Sequence, residues 1–203
     1  MANKKKGKKK EKRKIVRKTN ITLKKKKKSW VSIVAPKEFG NIDLGDSYVS
    51  DSQNLKGKRL KVSLSNLGKA KNPSIKIIFQ VKEIADGKAI TEAIGYYVLN
   101  SFSRRVVNKG RTKMGKTFNL KTKDGSNVIM KVVMSSQNKI PSRISKAIRV
   151  KLDEAVSSEL KKSDFDRVLD SVIKYIFQKS LKSEVSKVYP VPSLEITSFR
   201  KVF

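Results

Sequence analysis

The chain has 203 residues, with 49 Lys or Arg against 17 Asp or Glu and a formal net charge of +32. It has no Cys and no His, which excludes a disulfide framework, a thiolate metal site, and the commonest general base and transition-metal ligand. No apolar run approaches the roughly 20 residues of a spanning helix, so the composition predicts a soluble intracellular protein poorly equipped for catalysis.

Residues 1–28 carry sixteen Lys or Arg against one acid, Glu11. Mutual repulsion and few apolar side chains predict a tail that is disordered when free. Its basic residues have no apolar stretch behind them, so it does not read as a secretory signal. Such a segment calls for a dense polyanion, because each neutralised phosphate releases condensed counterions. Lys4, Lys5, Lys6, Lys8, Lys9, Lys10, Arg13, Arg17, Lys24, Lys25, Lys26, Lys27 and Lys28 are therefore candidate RNA contacts.

Alternation at Trp30–Ala35 predicts a short strand ended by Pro36. Leu60, Val62 and Leu64 alternate with Arg59, Lys61 and Ser63, and Ile75, Ile77, Phe79 and Val81 repeat the pattern. Asp86-Gly87 between that run and Ile90–Leu99 signals a hairpin, since Gly accepts the positive φ of a tight turn. Phe118, Leu120 and Thr122 lead to a second such turn, Asp124-Gly125, and Val128, Met130, Val132 and Met134 return. Five or six antiparallel strands with one buried face are expected over 29–140. The period changes after Pro141. Ile144, Ile148, Leu152, Val156 and Leu160 fall at helical spacing. Ser163-x-x-Asp166 resembles a capping box opening another helix. Its stripe runs from Phe165 through Leu169, Val172 and Phe177, with a kink expected near Gln178, and Tyr189-Pro190 stops the pattern. Leu194 and Ile196 suggest a last strand. Strands first and helices later predict an α+β fold: a barrel-like antiparallel body at 29–140, then a helical part at 141–203 packed on it.

Catalysis is the weakest reading. Asp43-x-x-Asp46 could hold a hard cation, but a solvated loop explains it more simply. Asp51 and Ser52 lack a base. Gly110 to Gly115 brackets four residues without the helix that a phosphate cradle requires. The run from Arg104 to Lys123 is more informative. It holds Arg104, Arg105, Lys109, Arg111, Lys113, Lys116, Lys121 and Lys123 with no acid before Asp124. Gly110 and Gly115 permit close backbone approach, and Arg forks suit phosphate. Trp30, the only tryptophan, either stacks on an exposed base or serves as a core or surface anchor, the commoner place for a lone Trp. Arg143, Lys146 and Arg149 fall opposite the apolar stripe of their helix, where solvent exposure accounts for them adequately. Packing is the default reading of Tyr96 and Tyr97. Residues 151–170 are slightly acidic, which suits one polyanion-facing side and one side facing solvent or protein.

The motifs, taken together, resemble a known family. Trp30, Ala35-Pro36 and Phe39 come first, then Leu55-Lys56-Gly57-Lys58-Arg59 and Val62-Ser63-Leu64. Lys121-Thr122-x-Asp124-Gly125, Ala147-Ile148-Arg149 and Tyr189-Pro190 follow in order. The collinear set is similar to the archaeal and eukaryotic small-subunit ribosomal protein family S-one-e, also called S-three-a-e, over about 29–200. Where the family usually has Thr-Arg, this chain has Asn100-Ser101. The resemblance implies a structural role on the platform of the small subunit, near the 3′ end of the rRNA and the mRNA exit, with no catalytic residues and no cofactor. It implies small-subunit rRNA, neighbouring ribosomal proteins and mRNA near the exit as partners, no membrane, no homo-oligomer, and residence in the cytoplasmic ribosome. Lys58, Arg59 and Arg143 join Trp30 and the 104–113 cluster as candidate RNA contacts. The alternative is a free-standing basic RNA- or DNA-binding protein of the chromatin or single-strand-binding kind.

Overall fold

A computed structural model of the chain describes residues 27–68, 72–85 and 87–202. The tail expected to be disordered lies outside them up to residue 26, as does Asp86 of the first hairpin turn. Strands β1 (Ser29–Val34), β2 (Asp43–Val49), β3 (Arg59–Ser63), β4 (Ile75–Ala85) and β5 (Lys88–Val98) come first. A short helix α1 (Asn100–Arg105) precedes β6 (Lys113–Lys121) and β7 (Asn127–Ser135). Helices α2 (Ser142–Lys162), α3 (Phe165–Ile173) and α4 (Ile176–Ser186) follow, and β8 (Ser193–Lys201) closes the order. The fold is α+β, as the change of period predicted.

The strands alternate because one face is covered. Ile77, Phe79, Tyr96, Met130, Val132, Met134, Ile196 and Phe199 are buried under the helices. From α2 come Ile148, Leu152, Val156 and Leu160, from α3 Phe165, Val168, Leu169 and Val172, and from α4 Phe177, Leu181 and Val185. Each such side chain contributes about 1.5–3 kcal/mol when fully buried. Phe165 of α3 stacks on Phe199 of β8 with ring centroids 5.1 Å apart. A second, smaller core of Val31, Ile33, Val49, Leu55, Val81 and Ala89 fills the end of the sheet away from the helices.

The sheet is not closed into a barrel, and it is not wholly antiparallel. The cause is β5, one edge of which pairs with β4 along its length. Its other edge is divided. Ala89 and its neighbours pair in parallel with β1, whereas Gly95, Tyr96 and Tyr97 pair antiparallel with β8. The ribbons β1–β2 and β8–β7–β6 therefore leave β5 separately. Where they part, the Thr91 hydroxyl donates to the Val34 carbonyl at 2.9 Å and α3 brings Asp166 alongside. β2 was not anticipated because Asp43, Gly45 and Asp46 break its apolar alternation. Asp43 thus stands in a strand rather than a loop, and its carboxylate accepts the Gly45 N–H at 3.0 Å.

Two helix boundaries also differ from expectation. Ser163 does not cap α3, because its backbone is extended as the end of α2 and Asp164 takes the N-cap position without a side-chain bond. The Phe165 N–H instead donates to Asp124 of the β6–β7 hairpin at 2.9 Å. The helical break falls at Tyr175, whose φ of 65° is left-handed, and not at Gln178. Gln178 is buried and donates from Nε2 to the Val172 carbonyl at 3.0 Å, closing the break from inside.

Gly95→Ala should destabilise the chain by about 1–3 kcal/mol, because the added Cβ overpacks a backbone contact; urea unfolding would measure it. The backbone bond from Phe165 and the side chain of Asp164 hold the Asp124 carboxyl below its ordinary value of 3.8. A depressed carboxylate stabilises the fold above its unfolded value and loses that effect as pH falls. Asp124→Ala should therefore lower the melting temperature at neutral pH, and the deficit should close as pH falls below 3.8.

Candidate nucleic-acid interface

In each strand that buries its apolar phase under the helices, the polar phase points to the outer face of the sheet. Register places Ser63, Lys76, Tyr97, Ser198, Lys131 and Thr117 in one row across β3, β4, β5, β8, β7 and β6. The next row reads Lys61, Ile78, Gly95, Arg200, Ile129 and Asn119. The two rows hold four cations and no acid. Six strands at about 4.8 Å spacing make this face about 24 Å wide. Lys61, Lys131, Arg200, Thr117 and Asn119 are exposed, and no helix among the described residues packs over them. Tyr97 is half-buried, with the Lys61 ammonium 5.4 Å from its ring centroid. Glu92 adjoins this surface opposite Gln80 and faces the Lys82 ammonium at 3.7 Å.

The acidic stretch lies on the other layer and is largely engaged within the chain. Asp153 of α2 binds Lys116, Glu154 binds Lys151 at 3.0 Å, and Asp170 binds Lys174 at 2.6 Å. Burial and then Glu92 push Asp166 above the ordinary carboxylate range. Burial also raises Glu195, although the Tyr175 hydroxyl donates to it. These pairs are partly exposed and contribute little stability each. Their consequence is that several cations near the helix layer are partly neutralised, whereas Lys61, Lys76, Lys131 and Arg200 of the two rows face no carboxylate within ion-pair distance among the described residues.

The residues expected from sequence fall in separate places. Lys4 to Lys26 lie outside the described residues. Lys27 and Lys28 are exposed beside Trp30 at the start of β1. Trp30 is 70% exposed, so the core reading of this residue does not hold. Lys58 and Arg59 are exposed where β3 begins. Arg104 and Arg105 project from the last turn of α1, and Lys109 from the turn that follows. Arg111 is half-buried in a groove with Pro190 and Pro192, which limits its reach. Lys113 opens β6 on its exposed phase. Arg143 stands in the first turn of α2, on the helical layer, apart from the outer face.

Lys61, Lys76, Lys131 and Arg200 were not singled out from sequence, and Tyr97 was read as a packing residue. A signal was present, since every one occupies the polar phase of an alternating strand. Alternation gives the phase, but only pairing brings the phases of β3, β4, β5, β8, β7 and β6 into one surface.

Among the described residues, no group of His, Cys, Asp or Glu could hold a metal ion, and no helix is long and apolar enough to cross a membrane. A model of the Ribosomal S3Ae family matches residues 12–202. The chain is 26% identical to the small ribosomal subunit protein eS1 of Desulfurococcus amylolyticus over 172 residues, covering 84% of this chain and 81% of the relative. The protein of the same name from Haloquadratum walsbyi is 23% identical over 178 residues, 87% of this chain and 84% of its own. That of Picrophilus torridus is 27% identical over 172 residues, 84% and 82% respectively.

Lys76→Glu combined with Lys131→Glu should weaken binding to structured RNA and flatten its salt dependence by about 0.7–0.9 log units per lost phosphate contact. Lys161→Glu with Lys162→Glu, on the helical layer, should leave both unchanged. Filter binding across a salt series would compare the two.

Proposed function

The chain belongs to the Ribosomal S3Ae family, of structural ribosomal proteins rather than enzymes, and from that membership we propose that it is a structural constituent of the small ribosomal subunit, binding rRNA through the outer face of its sheet. The observation that carries this reading is the pair of acid-free rows crossing six strands, with no helix over them among the described residues. Its relatives named small ribosomal subunit protein eS1 support the same assembly.

The surface favours RNA over DNA. A B-form major groove is read by an inserted helix or ribbon, whereas this face is a broad sheet carrying Ser63, Ser198, Thr117 and Asn119 among its cations. A-form RNA offers a wide, shallow minor groove of 2′-hydroxyls flanked by phosphates. Hydroxyls and amides between lysines complement that pattern. The basic segment 1–28 adds phosphate contacts, and the 104–113 cluster extends them beyond the sheet. We assign the protein to the platform near the mRNA exit, within the cytoplasmic ribosome. Neighbouring ribosomal proteins are its partners on the helical layer, where charge is better balanced.

Sedimentation of a cell lysate at low and high salt tests the reading. Stoichiometric retention on the small subunit at both salts is expected. Release into the soluble or nucleoid fractions would instead mark a free-standing nucleic-acid binder.

A further inference from the structure

The single tryptophan has an exposed aromatic partner that the sequence did not suggest. Antiparallel pairing of β1 with β2 sets Trp30 directly opposite Tyr48. Their ring centroids are 4.9 Å apart with planes tilted by 38°. Both rings remain open to water, Trp30 at 70% and Tyr48 at 52% exposure. The Lys28 ammonium lies 5.6 Å from the Tyr48 ring centroid. Beneath the pair, Val31, Ile33 and Val49 are buried in the smaller core, so the rings stand on a fixed strand pair and not on a loop.

We propose that Trp30 and Tyr48 form a stacking platform for an unpaired base of an RNA single strand, with an adjoining phosphate on Lys28. The proposal rests on the RNA-binding reading above and names a ligand class for the β1–β2 ribbon. Aromatic faces accept any base, since every base has a π-face. The pair is polarised along the strands. Lys27 and Lys28 lie at one end, directly after the basic stretch Lys24–Lys26 in the sequence. Ser32 and Asp46, paired with each other, occupy the next outward positions at the other end. A phosphate is attracted toward the lysines and repelled by Asp46, which gives a bound nucleotide one orientation. The patch is one residue pair wide and bordered by polar side chains. That is the size of a base and much smaller than the apolar centre of a protein interface. A duplex does not meet the requirement, because its bases are already stacked on each other.

Because Trp30 is the only tryptophan, its fluorescence reports on this site alone. The full chain would be titrated with a single-stranded RNA of about ten nucleotides, within the usual site size. A hairpin-closed duplex and inorganic polyphosphate would be titrated in parallel, with binding followed independently by anisotropy of labelled RNA and by competition. The single strand should quench Trp30 emission, while duplex and polyphosphate bind without quenching. Trp30→Ala and Tyr48→Ala should each lower single-strand affinity roughly tenfold, the usual scale of a lost stacking contact, and leave duplex affinity unchanged. Single-strand binding without quenching, or equal quenching by duplex, would overturn the platform and leave the RNA-binding reading standing. Failure of the chain to bind any of these RNAs would overturn both.

Discussion

At Gly95 the backbones of β5 and β8 come so close that a Cβ would lie 2.7 Å from the Phe199 carbonyl oxygen and 3.0 Å from the Arg200 Cβ. Only glycine permits that approach, and the approach seats the last strand of the chain in the middle of the sheet. β8 joins β5 to β7, so the outer rows continue across six strands instead of ending at β5. The same seat turns Phe199 inward onto Phe165 and so fixes α3 over the sheet. Close packing transmits such a constraint, because neither the strand nor the helix can shift without opening a void.

Charge then sorts by layer. Several acids of the helix layer are bound to nearby cations such as Lys116, Lys151 and Lys174. The outer face keeps its lysines and arginines largely without such partners in the rows across the sheet. Like charges held on one rigid face repel, and the net charge of +32 adds to that repulsion. Such a surface costs stability in the free protein and gains it back when phosphates approach. The aromatic pair Trp30–Tyr48 stands on the β1–β2 ribbon, beside Lys28.

Much of the fold was legible in the residues. Alternation at 59–64, 75–81 and 128–134 marked strands, and the helical period after Pro141 marked α2. The Asp124-Gly125 turn was read correctly as a turn, but its second role was not visible. Asp124 reaches 41 residues along the chain to bond the Phe165 N–H, which local spacing at Ser163-x-x-Asp166 had suggested would be capped from within. The parallel pairing of β1 with β5 was equally hidden, since alternation looks the same in either direction. Lys61, Lys76, Lys131 and Arg200 passed as ordinary strand lysines and arginine.

The sequence by itself determined the partner class, because charge density and the absence of Cys and His do not depend on folding. It also determined the type of the strongly periodic elements, because periods of 2 and 3.6 are local properties of the chain. Only the tertiary structure decided which basic residues share a surface. That depends on strand order and register, which are set by contacts between residues far apart in the chain, above all the seating of β8 against Gly95. It likewise decided that Trp30 faces water beside Tyr48, since a strand's phase says which residues share a face but not which face is covered.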